Sequence, residues 1–168
     1  GKLMSEWFDK KETERADLQW DEPSYKKVDL YLCPSEELNK RHNFDTLYKD
    51  YFDAVLLSPP YFNLEIYHSE DQSFTNFPNY NDWLKGYWEE TCKTISNTLS
   101  PDGTFGFVIS DFAFGGETIS ADMRDVVAKH LDLVDHYRIS WGGFSTLDSE
   151  KMKDGNFEDL WMFRKKKQ

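Results

Sequence analysis

Two cysteines, four histidines and no long apolar run set the first limits on what this chain can be. Cys33 and Cys92 stand far apart, without the Cys-x-x-Cys or Cys/His spacing of a zinc site. They are expected to be buried free thiols in a reducing compartment. His42, His68, His130 and His136 show no metal-ligand pattern either. No stretch approaches the ~20 apolar residues of a membrane helix, and no basic-then-apolar leader opens the chain. The expectation is a cytoplasmic protein with no metal and no membrane partner. Basic residues are short as well: 20 Lys and Arg against 31 Asp and Glu leave a net charge of −11. Affinity for a phosphate backbone comes from Lys and Arg displacing counterions, so this chain is not expected to grip nucleic acid unaided. Its one dense basic run, Arg164-Lys165-Lys166-Lys167, reads as a solvated terminus.

Aromatic residues, by contrast, are plentiful: 6 Trp, 9 Tyr and 13 Phe provide a sizeable core for one domain. Residues 1–27 form a charged, irregular N-terminal arm in which Trp7, Phe8 and Trp20 are the only large apolar anchors. The texture changes at Val28, and 28–168 is taken as the folded domain. Val28 to Cys33 reads as a short strand closed by Pro34, with Ser35 capping a helix that opens Ser35-Glu36-Glu37. Asp53 to Leu57 contains the unbroken apolar run Ala54-Val55-Leu56-Leu57, which predicts a central strand, buried on both faces and flanked on both sides.

Tyr80 to Leu99 places Leu84, Trp88, Cys92, Ile95 and Leu99 at steps of three and four, an amphipathic helix. Ser100-Pro101-Asp102-Gly103 supplies turn chemistry to stop it. Phe105 to Ser110 reads as a strand and Ser120 to Leu131 as a helix. Leu133 to Trp141 and Phe157 to Arg164 read as a closing pair of strands. This alternation predicts an α/β sandwich with a mostly parallel sheet and a C-terminal antiparallel hairpin. Such sheets bind ligands at the carboxyl ends of their strands.

Ser58-Pro59-Pro60-Tyr61 follows directly on the most apolar strand. Two prolines fix φ and carry no N–H, so the loop is stiff and the carbonyls of Ser58 and Pro59 remain as acceptors. Acceptors beside an aromatic ring suit a planar amine: they take its hydrogens while the ring of Tyr61 stacks on the attached base. A duplex base reaches such a pocket only when flipped out of the helix.

A strand leading into Ser-Pro-Pro-Tyr resembles motif IV of the DNA amino-methyltransferases that modify cytosine-N4 or adenine-N6. The register around it continues to match. Tyr31-Leu32-Cys33-Pro34-Ser35-Glu36-Glu37-Leu38 resembles the strand and acidic turn that lie near the cofactor's adenine. Trp83 to Leu99, Ser100-Pro101-Asp102-Gly103 and Phe105 to Asp111 resemble the helix, turn and strand that follow motif IV. Phe157 to Lys165 resembles the last strand. The resemblance spans roughly residues 28–165, and it implies a Rossmann-like methyltransferase sandwich with S-adenosyl-L-methionine as methyl donor and DNA as substrate, in a restriction-modification setting. Ser58, Pro59, Pro60 and Tyr61 would be the catalytic residues, and Ser35, Glu36 and Ser58 the cofactor-binding ones. Serine in place of aspartate before the prolines leans toward cytosine. No covalent nucleophile from the protein is needed, and neither cysteine lies in a Pro-Cys loop.

The family's glycine-rich cofactor loop, of Phe-x-Gly-x-Gly type, has no counterpart before residue 28, so the first strand and that loop are expected to be lacking. Phe112 to Thr118, with adjacent Gly115 and Gly116, reads as an ordinary post-strand loop. No segment stands out for target recognition, so a further recognition segment or subunit is expected. Asp111-Phe112 and Trp141-Gly142-Gly143-Phe144 suit a turn and core packing as well as a base site. Asn63, Glu65 and Tyr67 suit a surface loop as well as a pocket wall. Two other functions compete. One is a non-catalytic or truncated binding module, which the acidic charge favours; the other is methylation of RNA or a small amine.

Overall fold

In a computed structural model of the protein, the described residues are 29–63, 72–110, 113–114, 117–140 and 157–166. The chain divides into two units, Gly1–Tyr31 and Leu32–Gln168, and the architecture below is that of the second. A 3-10 turn, Ser35–Glu37, leads into two short helices, α1 (Leu38–His42) and α2 (Phe44–Leu47). The strand β1 (Phe52–Leu57) follows. After the catalytic-loop candidate comes a single long helical run, α3. It is α-helical over Tyr80–Trp83, π-helical over Leu84–Glu89 and α-helical again over Glu90–Thr98. Then come β2 (Leu99–Ile109), a small hairpin of β3 (Ala113–Phe114) and β4 (Glu117–Thr118), and α4 (Ile119–Ala128). The strands β5 (Leu131–Ser140) and β6 (Phe157–Lys165) close the order.

The main sheet runs β1-β2-β6-β5. β1 pairs with β2 in parallel, whereas β2–β6 and β6–β5 are antiparallel, so among the described strands parallel pairing is confined to one pair. The expected closing hairpin is present as β5 and β6.

The helical periodicity is borne out. Asn79 caps α3, its Oδ1 accepting the Asp82 N–H at 3.0 Å. From there Trp83, Tyr87, Trp88, Cys92 and Ile95 turn inward. They meet Phe105, Phe107 and Ile109 of β2, Phe163 of β6, and Met123 and Val127 of α4 in one core. The Trp88 indole donates to the Met123 carbonyl at 2.9 Å, tying α3 to α4 without leaving a polar atom unpaired. Gly86 lies where Phe77 presses on the π segment; a Cβ there would stand 2.0 Å from the Phe77 ring. The phenyl ring occupies the space that any other residue would need.

Five expectations are corrected. The run at 53–57 is a strand, but β1 lies at the edge of the sheet among the described strands, with Leu56 71% exposed. Apolar composition records a need for cover and does not say which element supplies it. Residues 29–33 form no strand, and Leu30 and Leu32 stand exposed where a strand of the sheet would pack one face; Val28 lies outside the described residues. Ser35 caps nothing: its Oγ instead shares a hydrogen bond with Thr91 Oγ1 at 2.9 Å. The helical run does stop at Thr98, but 100–103 enters the start of β2 rather than a free turn. The basic tail is less free than expected, since Lys165 Nζ pairs with Asp50 and donates to the Leu99 carbonyl at 2.9 Å. Both cysteines are thiols; Cys92 is buried and Cys33 half-buried. No helix of the described residues is long and apolar enough to cross a membrane.

Candidate active site

Ser58 leaves the carboxyl end of β1, beside the end of β2, where the sheet leaves its loops. Its side chain is exposed and bonds to none of the described residues, while Pro59 is buried beneath it. Tyr61 turns back into the protein. It is only 8% exposed, with its ring in the core and its hydroxyl held, among the described residues, by two hydrogen bonds. The Ser110 N–H donates to that hydroxyl at 2.8 Å, and the hydroxyl donates to Glu158 Oε1 at 3.4 Å. Ser110 directly follows β2 and Glu158 opens β6, so one tyrosine pins the loop to two strands. The expected solvent-facing stacking ring is therefore a packed, anchored ring in this structure. Phe62, the next residue, sits at φ 41°, a left-handed value that a bulky residue adopts only under constraint. Edge contacts with Phe74 and Tyr80 hold it there. Asn63 Oδ1 is buried with no hydrogen-bond partner among the described residues.

Ser58, Pro59 and Pro60 line a mostly apolar cavity of about 380 Å³, walled by Val55 and Leu57 of β1 and by Thr91 and Ile95 of α3. Ser35 and Tyr87 stand on its far wall. The same two residues also line an open cleft of about 1050 Å³, together with Glu36, Phe77 and Gly86. The two hollows thus share a partition, and the tertiary structure brings the acidic turn and the Ser-Pro-Pro loop to one place. Desolvation by burial raises the Glu36 carboxyl above its ordinary range. Burial likewise pushes the Tyr87 hydroxyl far up, although its hydrogen bond to Ser35 opposes the shift. Tyr87 and Thr91 were not singled out in the sequence. The helical periodicity marked Tyr87 only as a neighbour of the apolar stripe, and nothing local showed that Ser35 would cross to meet it.

A second polar cluster lies on the α4 side of β6. Asp159 is buried and receives the Ser120 hydroxyl at 2.9 Å and the His136 imidazole at 2.7 Å. The Trp161 indole donates to Ser120 at 2.8 Å, and His136 stacks on Trp161. Every polar atom of the Asp159 side chain has a partner, as a structural carboxylate requires. Ser120 donates to the carboxylate rather than to the histidine, so the cluster is not arranged to activate a nucleophile. Among the described residues no group of acidic, histidine and cysteine side chains could hold a metal ion. Asp111, Phe112, Gly115, Gly116, Glu65, Tyr67, Trp141 and the 142–144 loop lie outside the described residues.

No protein-family model matches the chain, and no curated protein is similar enough to count as a relative. Solved structures do match. A candidate DNA modification methylase from Thermus thermophilus superposes with a TM-score of 0.53 at 16% identity, over 81% of this chain and 53% of that one. The same protein complexed with S-adenosyl-L-methionine gives a TM-score of 0.50 at 16% identity, over 80% and 54%. At this identity the likeness is one of fold, and the fold is that of a Rossmann-like methyltransferase. The chain spans about half the length of the structures it resembles.

Proposed function

We propose that this chain provides the amine-binding half of an S-adenosyl-L-methionine-dependent methyltransferase acting on the exocyclic amine of a DNA base, cytosine-N4 first and adenine-N6 next. The observation that carries the reading is the shared wall between the Ser58-Pro59-Pro60 cavity and the Ser35–Glu36 cleft. The cofactor would supply an electrophilic methyl group on a sulfonium. Glu36, with its carboxylate on the cleft wall, suits the hydroxyls of a ribose, and Ser35 and Ser58 offer hydroxyls nearby. The carbonyls of Ser58 and Pro59 would take the amine hydrogens and turn the nitrogen lone pair toward the methyl carbon. Catalysis would be orientation for an in-line displacement, with the leaving electron pair going to sulfur and the amine proton to solvent. Tyr61, whose ring lies in the core and does not line the cavity, would then act by fixing the loop.

The net charge of −11 favours a second reading, a non-catalytic module that kept the scaffold. Transfer of labelled methyl groups to duplex DNA, followed by nucleoside analysis for N4-methylcytosine and N6-methyladenine, separates the two. Product lost in Glu36→Ala and in a Ser58-Pro59 deletion supports the enzyme. Absence of label in both bases from the chain in its complete assembly supports the module. The chain alone should bind S-adenosyl-L-methionine weakly or not at all, and micromolar affinity by calorimetry would make Gly115-Gly116 the leading cofactor-loop candidate.

A further inference from the structure

The helix α3 presents three threonines to the cavity beside the Ser-Pro-Pro loop: Thr91, Thr94 and Thr98. A buried threonine in a helix ordinarily returns its hydroxyl hydrogen to a carbonyl one turn back. Thr98 does so, donating to the Thr94 carbonyl at 2.9 Å. Thr91 is buried as well, yet among the described residues its hydroxyl bonds only to Ser35 Oγ, at 2.9 Å. Ser35 lines both the cavity and the open cleft, whereas Thr91 lines the cavity alone.

Two hydroxyls carry two hydrogens, and the bond between them takes up one. The side served by the other hydrogen depends on the direction of that bond. If Thr91 donates to Ser35, the cavity meets only the threonine oxygen. If Ser35 donates to Thr91, the Thr91 hydrogen turns to the cavity, which is mostly apolar and gives it little to bond until a ligand brings an acceptor. Tyr87 stands beside Ser35 on both hollows, and burial keeps its hydroxyl protonated. It therefore has a hydrogen for the Ser35 oxygen while Ser35 donates onward.

Cytosine and adenine share one pattern on the edge that carries the amine. In both, the ring nitrogen next to the amino-bearing carbon has no hydrogen and accepts a bond. In thymine and guanine the corresponding ring nitrogen carries a hydrogen and donates. Under the proposed function the carbonyls of Ser58 and Pro59 take the amine hydrogens, which leaves the ring nitrogen unmatched. We propose that Thr91 is the specificity-determining residue that donates from Oγ1 to this ring nitrogen, at the end of a directed chain from Tyr87 through Ser35. The same hydrogen meets the ring N–H of thymine or guanine donor to donor. Two unpaired donors in a desolvated cavity oppose binding, so the pair rejects oxo bases as well as favouring amino ones. This assignment rests on the reading of the cavity as the amine site, but binding alone tests it.

The test is titration of free nucleosides into the whole 168-residue chain, followed by amide and methyl chemical shifts. The probes are 2′-deoxycytidine against its 3-deaza analogue and 2′-deoxyadenosine against its 1-deaza analogue, pairs in which C–H replaces that ring nitrogen. For the base the cavity takes, the parent should bind the natural nucleoside about three- to tenfold more tightly than the deaza one. In Thr91→Val the two should bind within about twofold of each other, and Thr91→Ser, which keeps the hydroxyl, should restore the difference. Ser35→Ala should shrink it too, because nothing then turns the Thr91 hydrogen toward the ligand. Equal binding within both pairs by the parent overturns the assignment, even where Thr91→Val does not fold. Discrimination that survives in folded Thr91→Val overturns it also, as does the absence of saturable shifts at the cavity with all four nucleosides. Methyl transfer to DNA is read separately. Transfer without deaza discrimination removes the role of Thr91 and keeps the enzyme; discrimination abolished by Thr91→Val, without transfer from the complete assembly, keeps Thr91 and removes the enzyme.

Discussion

Removing the Tyr61 hydroxyl alone tests whether that residue anchors the loop. In Tyr61→Phe the ring stays in the core, while the Ser110 N–H loses its acceptor and Glu158 its donor. A part-buried N–H left unpaired costs about 1–3 kcal/mol; the 3.4 Å bond to Glu158 is at the long limit and adds little. For a chain of this size about 1 kcal/mol moves Tm by roughly 2–4 °C, so a fall of roughly 2–12 °C is expected. Tyr61→Ala also removes a buried aromatic ring, for a loss of about 3–5 kcal/mol. Circular-dichroism melts and urea titrations measure both, with exposed Ser58→Ala as a control that should stay within about 0.5 kcal/mol of the parent. Hydrogen exchange at the Ser110 amide should quicken in Tyr61→Phe and stay unchanged in Ser58→Ala. A Tyr61→Phe protein that melts with the parent, with Ser110 exchanging at the parental rate, would refute the anchoring argument.

Two further outcomes follow from the packing and the charges. Gly86→Ala should destabilise by about 1–2 kcal/mol, overpacking against Phe77 outweighing the gain in helix propensity. In a Phe77→Ala background the same change should turn neutral or stabilising, and additivity in that double-mutant cycle would contradict the contact. The Glu36 carboxyl binds its proton more tightly folded than unfolded, so its contribution to stability is full below the ordinary glutamate pKa and is lost as pH rises through the folded value. Glu36→Gln should therefore gain on the parent as pH is raised from about 4 to 7 in melts compared at each pH. A constant difference between the two proteins over that range would show that burial does not perturb this carboxyl.

Local signals in the sequence carried as far as local physics reaches. The stripe Leu84, Trp88, Cys92, Ile95 dictated a helix with one buried face, because a 3.6-residue repeat has a single geometric solution. The apolar run after Asp53 dictated a strand, and two prolines dictated a stiff loop after it. The closing pair of strands was legible for the same reason. None of these signals names a partner. Whether β1 is central or at an edge depends on which strand lies beside it, a contact between residues far apart in the chain. Ser35 looked like a cap because caps are local, yet it bonds Thr91, 56 residues away. Tyr61 looked like a free ring because it follows Pro-Pro, yet Ser110 and Glu158, 49 and 97 residues distant, draw it into the core. Periodicity and backbone stiffness are properties of a few neighbouring residues and can be read from order alone. Burial, anchoring and the meeting of Ser35 with the Ser58 loop at one wall depend on long-range packing, and only the tertiary structure decided them.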